Sequence, residues 1–212
     1  MDINKIPIFT FAYFDKSIGG IEAFLIEHFK ERIKKGEVNS FRSKKDINDI
    51  FDEFEYLRKT KAKRISMNEY SYKAFFFNPS IKPDKVIMIS SLEDGWYTLC
   101  NVISNSLKSG FYLFTLSADG VSDPQNAFHY VNKAEGISTE RVVYSMKDGK
   151  WVFFEKGEPL QFENLENYKQ KIIKKRLTKE ILIDYCKEIE LPIEQENFWK
   201  QKGEGIYFER LF

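Results

Sequence analysis

The chain has 212 residues, 42% of them hydrophobic and 16% aromatic, with 20 Phe, 11 Tyr and 3 Trp beside only 6 Pro. That balance excludes disorder and allows a sizeable core, and a formal net charge of +1 excludes a strong field toward nucleic acid or an acidic surface. Two cysteines, Cys100 and Cys186, build no disulfide framework, which fits a reducing compartment. The first residues carry an acid at Asp2 and no cationic segment ahead of a long apolar run, and nothing approaches the roughly 18 apolar residues that span a bilayer. The expectation is a cytoplasmic protein without membrane or nucleic-acid association.

Ile6 to Phe14 alternates Ile8, Thr10 and Ala12 with Phe9, Phe11 and Tyr13, the period of a strand. Gly19-Gly20 reads as a flexible turn after it. Ile21, Phe24, Leu25, His28 and Phe29 follow helical spacing, and Gly36 is a suitable stop. Asn39 to Lys45 reads as a polar loop. Asp46 is a candidate N-cap for a helix with Ile47, Ile50, Phe51, Phe54 and Leu57 on its apolar stripe, and Lys59 to Arg64 is a basic connector. Tyr70 to Asn78 and the short apolar run Val86 to Ser91 read as strands, the second suited to a buried position. Asp94 or Gly95 opens a helix carrying Trp96, Leu99, Cys100, Ile103 and Leu107, and Phe111 to Ser117 is a further strand.

Asn126 to Glu163 is the most patterned stretch, an aromatic-rich antiparallel meander with Asp148-Gly149 at a turn. Asp-Gly between two β-rich runs predicts a two-residue type I′ loop, because both residues tolerate positive φ. That loop would set Met146 opposite Trp151 and Tyr144 opposite Phe153, with Ser145, Val152, Val143 and Phe154 on the other face. Both faces are then largely apolar, which predicts a hairpin inside a sheet covered on each side. Beyond it, Tyr168, Ile172 and Ile173 mark a helical segment bearing the basic run Lys171, Lys174, Lys175 and Arg176. Thr178 is an N-cap candidate with Glu180 in the first turn, Pro192 ends that helix, and Gly205 to Phe212 would add a last edge strand. Strands arrive in runs, so the expected fold is α+β, a mostly antiparallel sheet with a β-meander at about 126–156 and packed helices. We read residues 1–212 as a single α+β domain with an N-terminal α/β part, 1–84, and a strand-helix-meander-helix part, 85–212.

No catalytic, metal or cofactor pattern emerges. His28 and His129 are the two histidines, and neither belongs to a metal-ligand spacing. His28 falls on the apolar stripe of its helix and reads as partly buried, and His129 lies mid-strand between Phe128 and Tyr130. Cys100 sits in a helix interior among apolar residues, not at the N-terminus where the dipole would activate it. Gly19-Gly20 lacks the company of a phosphate loop. The expectation is a non-enzymatic protein without cofactor.

The segment 86–189 carries Asp94-Gly95-Trp96, Asn126-Ala127-Phe128-His129-Tyr130, Glu140-Arg141-Val142-Val143, Asp148-Gly149-Lys150-Trp151, Gly157-Glu158-Pro159, Phe162-Glu163 and Leu182 to Tyr185. In that order it resembles cytoplasmic immunity proteins of bacterial polymorphic and contact-dependent toxin systems. The resemblance covers about half of the chain and implies a one-to-one binder of a cognate protein toxin. Residues 85–165 carry net charge −3 and residues 1–84 net +3, so an acidic face toward a basic toxin would aid partner choice. Asp119, Asp123, Glu135 and Glu140, flanking the meander, are the candidate partner-binding residues. The alternative is a small intracellular enzyme or ligand-binding domain with an aromatic-walled pocket.

Overall fold

Antiparallel pairing organises the whole chain. The computed structural model describes residues 3, 6–61, 71–134, 136 and 138–211. These form one nine-stranded sheet built from β1 (Ile8–Phe14), β2 (Val38–Ser43), β3 (Ser71–Phe77), β4 (Val86–Ser90), β5 (Gly110–Ser117), β6 (Gln125–Asn132), β7 (Thr139–Asp148), β8 (Lys150–Lys156) and β9 (Gly205–Leu211). The spatial order is β2-β9-β3-β4-β1-β5-β6-β7-β8, and every pair is antiparallel, as an α+β fold requires. Strands from residues 1–84 alternate in the sheet with strands from the rest of the chain.

The helices divide between the two faces. They are α1 (Ile18–His28), α2 (Lys30–Lys34), α3 (Ile47–Lys61), α4 (Tyr97–Leu107), α5 (Leu165–Tyr168) and α6 (Lys179–Glu188). On one face Phe9, Phe11, Phe75, Phe114 and Phe128 meet Ile50 and Phe54 of α3, Leu182 and Tyr185 of α6, and Trp199. Trp199 packs edge-on against Phe9 at 5.1 Å and Phe11 at 5.5 Å, and its indole N–H donates to the Ile193 carbonyl at 2.8 Å. On the other face Ala12, Phe14, Phe76, Met88 and Phe111 meet Ile21 and Leu25 of α1 and Leu99, Cys100 and Ile103 of α4. Each fully buried Phe contributes about 1.5–3 kcal/mol, so these two layers dominate the stabilisation. Cys100 and Cys186 are both free and buried, and burial raises both thiols.

Several boundaries depart from the sequence expectations. Gly19 and Gly20 lie inside α1, whose N-cap Ser17 accepts from the Gly20 amide at 3.2 Å, so they start a helix instead of forming a turn. Residues 39–43, expected as loop, belong to β2; only Val38 of that strand is buried, and its polar side chains carry no β pattern. Because β2 pairs with it, β9 is an interior strand and not an edge. Gly95 and Trp96 both adopt left-handed φ, at 66° and 57°, which delays α4 to Tyr97. His28 is exposed, its ring beside Phe24 and Phe29 at 5.0 and 4.8 Å. The expected helix through Ile172 is interrupted, α5 giving way to a 3-10 turn at Ile173–Lys175. Lys59 continues α3, and the rest of the basic connector lies at Lys61 or outside the described residues.

The meander register shifts by one residue. Gly149 takes φ of 66° but Asp148 is not among the left-handed residues, whereas a type I′ loop needs positive φ at both. Pairing therefore closes at Asp148↔Lys150, with Lys147↔Trp151, Ser145↔Phe153 and Tyr144↔Phe154. A one-residue shift moves every side chain to the opposite face. Trp151 and Phe153 thus lie with Ser145 and Val143, while Tyr144 and Met146 lie with Phe154 and Val152. The hairpin is not interior either, since β8 ends the sheet.

Candidate interaction surface

Alternation along β7 and β8 gives the meander two unlike faces. Arg141, Val143, Ser145, Trp151, Phe153 and Glu155 share the face that carries Phe128 and is covered by α6 and the segment that precedes it. Val142, Tyr144, Met146, Val152 and Phe154 share the other face. None of these five belongs to either buried cluster. Tyr144 and Phe154 stack at 5.2 Å, Phe154 is 41% exposed, and the remaining four are half-buried.

The covered face is held down by one cation. Arg141 is 2% exposed, and its guanidinium donates to Glu163 through Nε at 3.0 and 3.1 Å and through Nη2 at 2.6 Å. Nη2 also reaches Glu155 at 2.8 Å, and Nη1 donates to the Gly157 carbonyl at 2.9 Å. Burial alone would lower the Arg141 pKa, but the two carboxylates outweigh it and the net direction is upward. The Glu163 side chain, 0% exposed, also accepts from the Leu160 amide at 2.7 Å and from Tyr168 Oη at 2.9 Å. Tyr168 meets Tyr185 Oη at 3.0 Å, and burial raises both phenols. This chain of contacts ties residues 157–168 and α6 to the sheet. Gly157 makes the close approach possible, since at φ of 88° a Cβ there would stand 2.0 Å from the Glu140 carbonyl oxygen.

A second cluster borders the uncovered face. Tyr97 of α4 stacks on His129 at 4.7 Å, His129 Nε2 lies 2.8 Å from Glu140 Oε1, and Glu140 Oε2 is 2.8 Å from Lys156 Nζ. The bond from Lys156, aided by His129, holds Glu140 below the usual carboxylate range. For His129 two influences oppose each other: burial lowers its pKa and Glu140 raises it, and burial wins. Stacking under Tyr97 excludes the water an imidazolium needs, which explains the sign.

The four sequence candidates are not brought together. Asp119 and Asp123 are exposed in the β5–β6 loop, and Glu135 lies outside the described residues. Glu140 is not in a loop at all: it sits in β7 beside the opposite end of β6, some 23 Å away at about 3.3 Å per residue, and is engaged by His129 and Lys156. Sequence reasoning missed the stacked pair of half-buried Tyr144 and exposed Phe154, because the assumed register put Tyr144 opposite Phe153. Among the described residues no three His, Cys, Asp or Glu side chains gather as a metal site, and no helix is long and apolar enough to cross a membrane.

No protein-family model, curated protein or solved structure matches this chain.

Two outcomes follow from these clusters. Removing one member of the buried pair, as Arg141→Met or Glu163→Gln, strands the other, so urea unfolding should show a loss of about 3–5 kcal/mol; a loss below about 1 kcal/mol would mean that the pair does not anchor the segment. His129 has a depressed folded pKa, so its contribution is present above the unfolded value of about 6.5 and is lost as pH falls through the folded value. Wild-type stability should therefore drop more steeply below pH 6.5 than that of His129→Gln, and parallel curves would contradict the assignment.

Proposed function

We propose that this chain is a non-enzymatic binding protein, an immunity protein that neutralises a cognate bacterial toxin by direct contact. The observation that carries the reading is the contiguous apolar sheet face of Val142, Tyr144, Met146, Val152 and Phe154, left outside both buried clusters at the end of the sheet. Such patches on a folded protein mark interaction sites. The likeness of residues 86–189 to immunity proteins supports the same reading. Stacked Tyr144 and Phe154 suit the role of anchor, since aromatic side chains are enriched at the centres of protein interfaces and Tyr among their hot spots. The hydrogen-bonded triad of His129, Glu140 and Lys156 forms a polar rim along one side.

The test is protection of cells that express the toxin domain encoded beside this gene. Wild type should protect, Tyr144→Asp combined with Phe154→Asp should lose protection at least tenfold while remaining folded, and Asp119→Lys combined with Asp123→Lys should protect as wild type does. Failure of the wild type against every neighbouring toxin would overturn the immunity reading.

A second reading, a small-ligand domain, is favoured by one observation. Tyr13, Tyr112 and Tyr130 stand directly across β1, β5 and β6 and stack at 5.9 and 4.5 Å along a cleft of about 600 Å³. A thermal-shift screen of metabolites separates the two readings: the immunity reading expects no small molecule to raise Tm strongly, and a large shift that Tyr112→Ala abolishes would favour the ligand domain.

A further inference from the structure

The two ends of the sheet are not alike. At one end β2 exposes Asn39, Phe41 and Arg42; Phe41 is stacked on Tyr207 of β9 at 5.2 Å, and Arg42 is forked onto Glu22 of α1 and donates to the Glu204 carbonyl at 3.4 Å. A bound charge on an edge strand is one of the ordinary devices that stop further pairing. At the other end β8 reads Lys150-Trp151-Val152-Phe153-Phe154-Glu155-Lys156. Its four central residues are apolar and include no proline or charge, and among the described residues its only ladder partner is β7. Every second residue of such a strand directs its amide and carbonyl outward, so among the described residues β8 offers an unpaired ladder whose charges, Lys150, Glu155 and Lys156, are confined to its ends, beside a largely apolar face.

The two faces next to that ladder differ in chemistry. On one side lie Val152 and Phe154, continuous with Tyr144 and Met146. On the other, the 3-10 turn Ile173–Lys175 packs against β8, with the Ser145 hydroxyl donating to the Ile173 carbonyl at 3.2 Å and the Arg176 guanidinium over the Phe153 ring at 5.4 Å. Lys171, Lys174 and Lys175 on that segment are exposed. Glu155, the acid of β8, is 2.8 Å from Arg141, a cation it shares with Glu163, so this end of the strand keeps one net negative charge and the basic side of the edge is confined to the lysines.

We infer that β8 receives an extended segment of the partner as a tenth strand, one that alternates apolar and acidic side chains. Backbone bonds to the outward groups of β8 supply affinity, apolar residues of the added strand pack beside Val152, Phe154 and Tyr144, and its acidic residues point to the lysines of residues 171–175. Period-two alternation is what allows one strand to satisfy an apolar face and a basic one at once. The inference rests on the binding reading above and names the chemistry of the partner segment that the edge would take.

A seven-residue peptide alternating valine and glutamate is the probe, titrated into the full chain and followed by backbone amide chemical shifts. Saturable shifts centred on β8 and β7 are expected. The same peptide N-methylated at alternate residues should bind at least tenfold more weakly, because methylation removes ladder donors without touching the protein. Combined Lys171→Glu, Lys174→Glu and Lys175→Glu should weaken the acidic peptide at least threefold and leave an alternating valine–threonine peptide unaffected. Absence of shifts at β8, equal binding of the N-methylated peptide, or self-association of the chain through β8 in sedimentation would overturn the inference. Protection from toxin is measured separately, so an edge that takes no strand leaves the immunity reading standing, and loss of that reading leaves the peptide result to be judged by itself.

Discussion

Arg141 stands in a strand whose neighbours on the same face are Val143 and Ser145, and it is as buried as they are. Removing a guanidinium from water costs several kcal/mol unless its donors are satisfied. Here the compensation comes from Glu155 of β8 and from the Gly157 carbonyl and Glu163 in the chain that leaves it. That arrangement dictates the path of residues 157–168. The chain must turn at Gly157 within contact of the Glu140 carbonyl and lay Glu163 over the strand that carries Arg141. Tyr168 and Tyr185 extend the same network to α6, so the cover of one sheet face depends on a single charge being paired.

The same constraint produces the asymmetry on which the functional reading rests. All the covering material that follows the meander goes to the face of Arg141. The opposite face receives α1 and α4, whose apolar side chains reach Val131 of β6 but are not clustered with Val142, Tyr144 or Phe154. Interior packing elsewhere is dense, with Trp199, Phe11, Phe76, Phe114 and Phe128 among the fully buried side chains, so the open strip is a local departure from how this protein treats its aromatic residues. An apolar strip continuous with an unpaired strand edge is costly to display to water, because it templates aggregation.

Much of the scaffold was legible in the sequence because period-two alternation is strong where both faces are buried. Phe9, Phe11 and Tyr13 against Thr10, Ala12 and Phe14, and the wholly buried Val86–Ser90, gave β1 and β4 directly. The N-caps at Asp46 and Thr178 were equally readable: the Asn48 amide bonds to Asp46 Oδ1 at 2.8 Å and the Ile181 amide to Thr178 Oγ1 at 3.4 Å. What escaped were features set by contacts distant in sequence. β2 exists because β9 pairs with it, not because Val38–Ser43 prefers extension. The Asp148-Gly149 signal located the turn but not its geometry, and the one-residue difference exchanged the covered and open sets of aromatics. Arg141 could have been singled out as a charge at a buried parity between Val143 and the apolar run of β6, but its partner Glu163 lies 22 residues away and no spacing rule links them.

The claim that one meander face is sealed and the other open is tested most directly by hydroxyl-radical footprinting of the native protein, read residue by residue by mass spectrometry. Tyr144, Met146 and Phe154 should be oxidised readily, while Phe128, Tyr168 and Tyr185 should be protected until the protein unfolds. Protection of Tyr144 and Phe154 equal to that of Tyr168 would contradict an open face, and with it the surface on which partner binding is proposed.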